Sequence, residues 1–288
     1  MTDSAHKTKF AKITRELSAP GAQFDDETSL VRGKIIAFAG KGGTGKTSLC
    51  GMLIQYLCQT GYRPVLAVDA DANTNLSEVL GIDTQATMGT LAEDLKQTGY
   101  GQSPIPGVSK NIYAELKLNL SLAESEGYDL LVIGRPEGKG CYCNVNGILQ
   151  KEIEKIQDSY PYIVVDNEAG MEHISRGILP KIDILILVSD CSRRGVQACG
   201  RIATLVRELC INPRSIGLIV NRAPGGVLNE GTRQEIEKQG LQLFGVIGKD
   251  ETVYQYDCAG QPLVQIPDDA PVKQAVKAVF SQLDFDGH

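Results

Sequence analysis

The sequence predicts an α/β protein: a single domain built on a mostly parallel, twisted sheet of about seven to eight strands, with helices on both faces. Three observations lead to it. Seven short runs rich in Val, Ile and Leu are apolar throughout rather than alternating, as strands covered on both faces are. Amphipathic stretches of helical length separate them, and strand–helix alternation is the arrangement that joins parallel neighbours. A glycine-rich loop follows the first run directly and opens the first helix.

Taken in order, residues 1–32 are polar, carry no clear period and break at Pro20-Gly21, so they are expected to form a weakly ordered extension ahead of a domain over 33–288. The first strand is expected at 34–39 (KIIAFA), and a helix at 46–60 takes over from the glycine-rich loop. Further strands are expected at 64–69 (PVLAVD), 128–133 (YDLLVI), 162–166 (YIVVD), 183–189 (DILILVS), 215–221 (SIGLIVN) and 243–247 (LFGVI). Helices are expected at 88–98, 145–158, 194–211, 229–239 and 270–283. The 194–211 stretch carries a stripe, with Val196, Cys199, Ala203, Val206 and Cys210 recurring at helical spacing. No internal repeat, low-complexity tract or interdomain linker interrupts the series.

The chain has 288 residues, 42% hydrophobic and 22% charged, the balance of a globular protein able to bury a sizeable core. No apolar run approaches the ~18 residues of a membrane span, and the N-terminus lacks the apolar stretch of a secretory signal. Against 35 acidic residues stand 29 basic ones, a net charge of −6 that argues against non-specific nucleic-acid binding or anchoring on an anionic membrane. Eight cysteines are too few for a disulfide scaffold of this length, so reduced thiols and a cytoplasmic location are expected.

Gly40-Lys41-Gly42-Gly43-Thr44-Gly45-Lys46-Thr47 satisfies the pattern G-x-x-x-x-G-K-[ST]. Glycines let successive backbone N–H groups curl around a triphosphate, and the helix that follows offers its positive N-terminus. Lys46 is placed to reach the β- and γ-phosphates of ATP, and the Thr47 hydroxyl to ligate Mg²⁺. Tyr162-Ile163-Val164-Val165-Asp166 reads as a buried strand ending in a carboxylate, so Asp166 is expected to hold the same ion through water. Asp69 closes an earlier strand in the same way, with Asp71 two residues on.

Lys41 makes this loop resemble the deviant Walker A motif, K-G-G-x-G-K-T, of the MinD/ParA/nitrogenase iron protein group. The resemblance implies a P-loop ATPase in which the early lysine reaches across a homodimer to the partner's nucleotide, an extra cation acting as an arginine finger does. Asp69-Ala70-Asp71 is similar to the group's first switch, which implies that Asp71 orients the attacking water and sets Asp69 with Thr47 and Asp166 at the magnesium. Asn221-Arg222 closes an apolar strand where the group contacts adenine, and an Asn carries both donor and acceptor for a purine edge. Ile266-Pro267-Asp268 is expected to flank the same base.

Cys141 and Cys143 stand in a Gly- and charge-rich loop, Arg135 to Asn144, between a strand and a helix. The other six cysteines are expected to be core or bystander thiols. Two thiolates supply half of a four-coordinate shell, and a two-fold dimer would supply the other half from a second copy. "GCYC", then a helix, then "VVDNEAGMEHISRG" resemble the CooC-type ATPases, maturation factors of nickel carbon monoxide dehydrogenase, and the related accessory ATPases of acetyl-CoA synthase. The resemblance runs from about Lys34 to the C-terminus. It implies an ATP-driven dimer that carries Ni²⁺, with Zn²⁺ as an alternative ion, on Cys141 and Cys143 and helps load it into one of those client enzymes. Asn167-Glu168-Ala169-Gly170 stands at the group's second switch, and Glu172 and His173 follow it, where they either couple nucleotide state to the metal loop or His173 serves an interface. Asn167-Glu168 departs from the methionine and glycine that some members carry there, and residues 1–32 have no counterpart. The alternative is an iron–sulfur electron-transfer ATPase resembling the nitrogenase iron protein, whose ligand cysteines come from separate loops. A membrane- or DNA-positioning ATPase would want a basic tail or surface, and the tail here is VFSQLDFDGH.

Overall fold

The apolar runs form strands because helices cover both of their faces. The computed structural model describes residues 33–71, 73–84, 87–88, 105–134, 150–151, 153–167 and 181–285. In β1 (Lys34–Gly40), Ile35, Ala37 and Ala39 turn into one hydrophobic layer and Ile36 and Phe38 into the other, all fully buried. The remaining strands are β2 (Val65–Ala70), β3 (Leu122–Glu124), β4 (Tyr128–Val132), β5 (Tyr162–Asn167), β6 (Ile184–Ser189), β7 (Ser215–Ala223) and β8 (Leu243–Gly248). They make one 8-stranded sheet in the order β3-β4-β2-β5-β1-β6-β7-β8. Every neighbouring pair is parallel except the edge pair β3–β4.

Helices are α1 (Lys46–Gln59), α2 (Leu76–Leu80), α3 (Lys110–Ser121), α4 (Arg193–Glu208), α5 (Glu230–Lys238), α6 (Glu251–Cys258) and α7 (Pro271–Phe280), with further helical residues at 150–151 and 153–157. Side chains of α1, α2 and α7 fill the layer that holds Ile36 and Phe38. Those of α3, α4 and α5 fill the opposite layer with Ile35 and Ala37. A Ser192 hydroxyl accepting from Gly195 N at 3.0 Å starts α4, which buries Val196, Cys199, Ala203 and Val206.

The expected α/β sheet with helices on both faces is therefore present, and several details differ. Cys210 is not on the buried stripe: α4 ends at Glu208, and Cys210 is exposed at φ 55°, where the chain turns left-handed to leave the helix. The apolar position passes instead to Ile211, whose N–H donates to Val206 O. Four elements escaped the sequence reading. β3 has three residues, α2 has five, and α6 buries none of its side chains. α3 buries Tyr113, Ala114 and Leu118 but exposes Ile112, Leu116 and Leu120, so apolar residues on both faces blur its period. The extension at 1–32, the helix at 88–98 beyond Met88, and the loop with Cys141 and Cys143 lie outside the described residues, as do Glu172 and His173.

Candidate functional site

Parallel strands deliver their C-terminal ends to one edge of the sheet, and ligands of open α/β sheets bind there. Gly40 ends β1, Asp69 lies one residue from the end of β2, Asp166 one residue from the end of β5, and Asn221 close to the end of β7. Two glycines are demanded by the close quarters. A Cβ on Gly40, at φ 149°, would collide with the Val188 carbonyl oxygen, and one on Gly45, at φ 90°, with the Asn221 amide nitrogen. Between them the loop carries exposed Lys41 and then opens α1 with Lys46, which is 6% exposed. Lys46 Nζ donates to Lys41 O at 3.4 Å, and Thr44 Oγ1 donates to the same carbonyl at 2.9 Å.

Strand alternation decides which carboxylates face the loop helix. Asp69 and Asp166 are direct partners in the β2–β5 ladder, and both turn toward the layer that holds α1. Asp166 is 1% exposed and accepts from the Thr47 hydroxyl, while its Oδ1 has no hydrogen-bond partner among the described residues. Burial first, with Asp69 and Asp71 adding negative charge against Lys46, raises its pKa to about 7. An unpartnered buried carboxylate oxygen beside a threonine hydroxyl and a lysine is a fitting donor set for Mg²⁺. Asp69 does a different job. Its Oδ1 accepts from Asp71 N at 3.0 Å and its Oδ2 from Leu76 N at 3.0 Å, so it ties the turn after β2 to the start of α2. Burial lifts its pKa to about 6. Cys50, one turn along α1 from Lys46, lies beneath the pair, and burial with the two nearby carboxylates pushes its thiol well up.

Asp71 forms a turn of its own, accepting from Asn73 N at 2.9 Å and Asn73 Nδ2 at 3.1 Å. It lines a cavity of about 1070 Å³ together with Gly43, Lys46, Thr47, Arg222 and Asp257. Ser48, Arg222 and Asp257 also line a second cavity of about 260 Å³, whose wall includes Leu49, Met52, Asn221, Lys249 and Tyr254. A polar chamber over the glycine loop thus adjoins a smaller, partly apolar one. That is the division a nucleotide asks for, with phosphates at the helix N-terminus and a base against apolar side chains.

Pro267 and Asp268 are not brought to this site. Asp268 accepts from Gln59 Nε2 at 3.3 Å, at the far end of α1, about 20 Å along the helix from Lys46. The strand end that does border the smaller cavity is that of β8, through Gly248, Lys249 and Asp250. Asp250 accepts from Thr252 N and Val272 N, both at 2.8 Å, and so fixes the starts of α6 and α7 around the cavity. The signal was present in the sequence: an apolar run ending in Gly-Lys-Asp before a helix follows the same pattern that singled out Asn221.

Residues 35–263 match the CobQ/CobB/MinD/ParA nucleotide binding domain. The chain belongs to that family. An uncharacterized ATP-binding protein of Methanocaldococcus jannaschii is 35% identical over 249 residues, covering 86% of this chain and 98% of the relative. The carbon monoxide dehydrogenase accessory protein CooC of Rhodospirillum rubrum is 28% identical over 236 residues, covering 73% of this chain and 89% of CooC. In fold, the chain is similar to a ParA family ATPase from Chlorobium tepidum (TM-score 0.66, 21% identity, 88% of this chain and 99% of that one). It is also similar to the septum site-determining protein MinD from Pyrococcus horikoshii, complexed with Mg-ADP (TM-score 0.64, 22% identity, 87% and 96%). Among the described residues no helix is long and apolar enough to cross a membrane, and no group of three or more His, Cys, Asp or Glu gathers in a metal-binding arrangement.

Proposed function

We propose that this member of the nucleotide-binding family hydrolyses ATP as a nucleotide-dependent homodimer, carries nickel on Cys141 and Cys143, and helps insert it into carbon monoxide dehydrogenase or acetyl-CoA synthase. The observation that carries the ATPase half is the unpartnered Oδ1 of buried Asp166, set beside Thr47 and Lys46 at the mouth of the loop. Thr47 and Asp166 are the residues to hold Mg²⁺, which supplies charge neutralisation at the phosphate oxygens. Lys46 leaves Lys41 O for the β- and γ-phosphates, and Asp71 orients a water against the γ-phosphorus. Attack forms the new P–O bond as the bond to the β-phosphate oxygen breaks, with the water's proton passing to the phosphate product. Lys41, exposed on the loop, is free to reach a second copy's nucleotide.

Similarity to CooC across most of both chains supports the nickel half, as does the C-x-C pair itself. Two thiolates per chain make a four-sulfur shell only when two chains meet, so cargo binding and dimerisation become one event. The test is metal and acid-labile sulfide content of anaerobically purified protein, with a Cys141→Ala/Cys143→Ala control. Nickel near half an atom per chain, absent from the control, is the expected result. Iron and sulfide near four per dimer would replace it with the electron-transfer reading, and metal content equal to the control would remove the cargo role.

A further inference from the structure

The strand β7 carries an irregularity where it meets the phosphate loop. Its register against β8 runs Val220↔Val246 and then Ala223↔Gly248, so three steps on β7 oppose two on β8. Bulges of this kind re-aim side chains next to functional sites. Arg222 takes φ 57°, a left-handed conformation that a residue carrying a Cβ adopts only at a cost. In a regular strand Asn221 and Arg222 would point to opposite faces. Here both reach the same loop. Asn221 Nδ2 donates to Thr44 O at 2.9 Å, Arg222 Nη1 donates to Gly43 O at 3.0 Å, and Asn221 Oδ1 accepts from Arg222 N at 2.9 Å, locking the pair together.

Peptide planarity turns these two bonds into a statement about the other side of the loop. Within one peptide unit the carbonyl and the following N–H point in opposite directions. Drawing the Gly43 carbonyl outward to Arg222 therefore aims the Thr44 N–H inward. Drawing the Thr44 carbonyl to Asn221 does the same for the Gly45 N–H. Gly43 and Gly45, at φ 78° and 90°, supply the backbone freedom for the arrangement.

Standing on the nucleotide-site reading above, we propose that Asn221 and Arg222 are positioning residues: a bulge-borne latch that holds the loop's carbonyls outward so that its amides converge on phosphate before any ligand arrives. The pair also lines the smaller cavity, which places the latch between the base end and the phosphate end of one nucleotide. A nucleotide can then meet a loop whose ordering entropy is already spent, the general route by which rigid sites gain affinity.

The test compares ATP with inorganic tripolyphosphate, which has no base, on the full chain in Mg²⁺. Arg222→Gly removes the side chain while permitting the left-handed backbone. It should weaken both ligands by the same factor, about tenfold, the scale of one charge-assisted hydrogen bond. In the ligand-free protein it should also lower the NMR order parameters of the Thr44 and Gly45 amides, and Arg222→Lys should restore part of both effects. Weakened ATP with unchanged tripolyphosphate would make Arg222 a base or ribose contact and overturn the latch. Unchanged order parameters would overturn it as well, leaving Arg222 as a charge near the phosphates. Asn221 is buried, so Asn221→Asp, which keeps the shape and loses the donor, serves in place of a truncation. If wild-type protein binds neither ligand, the nucleotide-site reading itself fails; if it binds both and Arg222→Gly binds them equally well, only the latch fails.

Discussion

Asp166 is the residue at which the most physical terms meet. It is buried, faces a second carboxylate across the ladder, and has Lys46 and the Thr47 hydroxyl as compensation. With its pKa raised from 3.8 to about 7, the folded chain holds a proton near neutrality that the unfolded chain has released. The ligand-free protein is therefore expected to lose stability as pH rises between about 4 and about 7, with Asp69, raised to about 6, acting in the same direction. If Asp166 holds Mg²⁺ as proposed, binding of Mg²⁺ with nucleotide expels that proton. Calorimetry at pH 7 in buffers of different ionisation enthalpy should read release of roughly half a proton per site, falling toward none by pH 9. No release at pH 7 would contradict the raised carboxylate. At this scale the sequence identified Lys46, Thr47 and Asp166 because motif spacing fixes side chains on a loop, a helix start and a strand end. It could not show that both oxygens of Asp69 are taken by backbone N–H groups, since those donors belong to a turn whose path has no apolar period.

Between elements, α1 packs closely against α2. A Cβ on Gly51 would collide with Val79 Cγ1, and one on Gly81 would press Pro262 Cγ at 2.7 Å, so α2 is wedged between the loop helix and the segment after α6. Because Asp69 accepts from the first helical N–H of α2, moving that helix moves the turn that carries Asp71. Gly51→Ala adds about 1 kcal/mol of helix propensity but overpacks a site that resists it, at a cost of about 1–3 kcal/mol. Net destabilisation in urea is expected, relieved in the Gly51→Ala/Val79→Ala double variant; simple additivity of the two would show that the joint is slack. Long elements with one buried face, such as α4 and α7, were legible from spacing. Short or half-exposed ones, such as α2 and α6, were not, because their positions are set by contacts rather than by pattern. Pro267-Asp268 is expected at the base through the family resemblance alone; it follows the short 3₁₀ turn Leu263–Gln265 rather than a strand end, and its contacts lie at the far end of α1.

At the scale of the whole molecule, the proposed homodimer rests on the loop's two lysines. Lys41 is exposed at the loop while Lys46 is buried behind it, so the two lysines have separate audiences. Lys41→Ala should leave the fold intact and abolish the ATP-promoted dimer in light scattering. Turnover should fall by about 10³–10⁵ if the lysine acts across the interface as an arginine finger does; an ATP-dependent dimer of normal activity would place Lys41 outside the mechanism. Sliding β5 by one residue against β2 would turn Asp166 into the opposite layer, among the side chains of α3 and α4, and carry Tyr162 and Val164 with it. Loss of the β2–β5 register therefore takes the carboxylate out of the site together with the core side chains of its own strand. Thermal loss of Mg-nucleotide binding and thermal loss of the β-sheet should therefore superimpose as one transition, and damage to the protein should take the form of fewer competent molecules rather than slower ones.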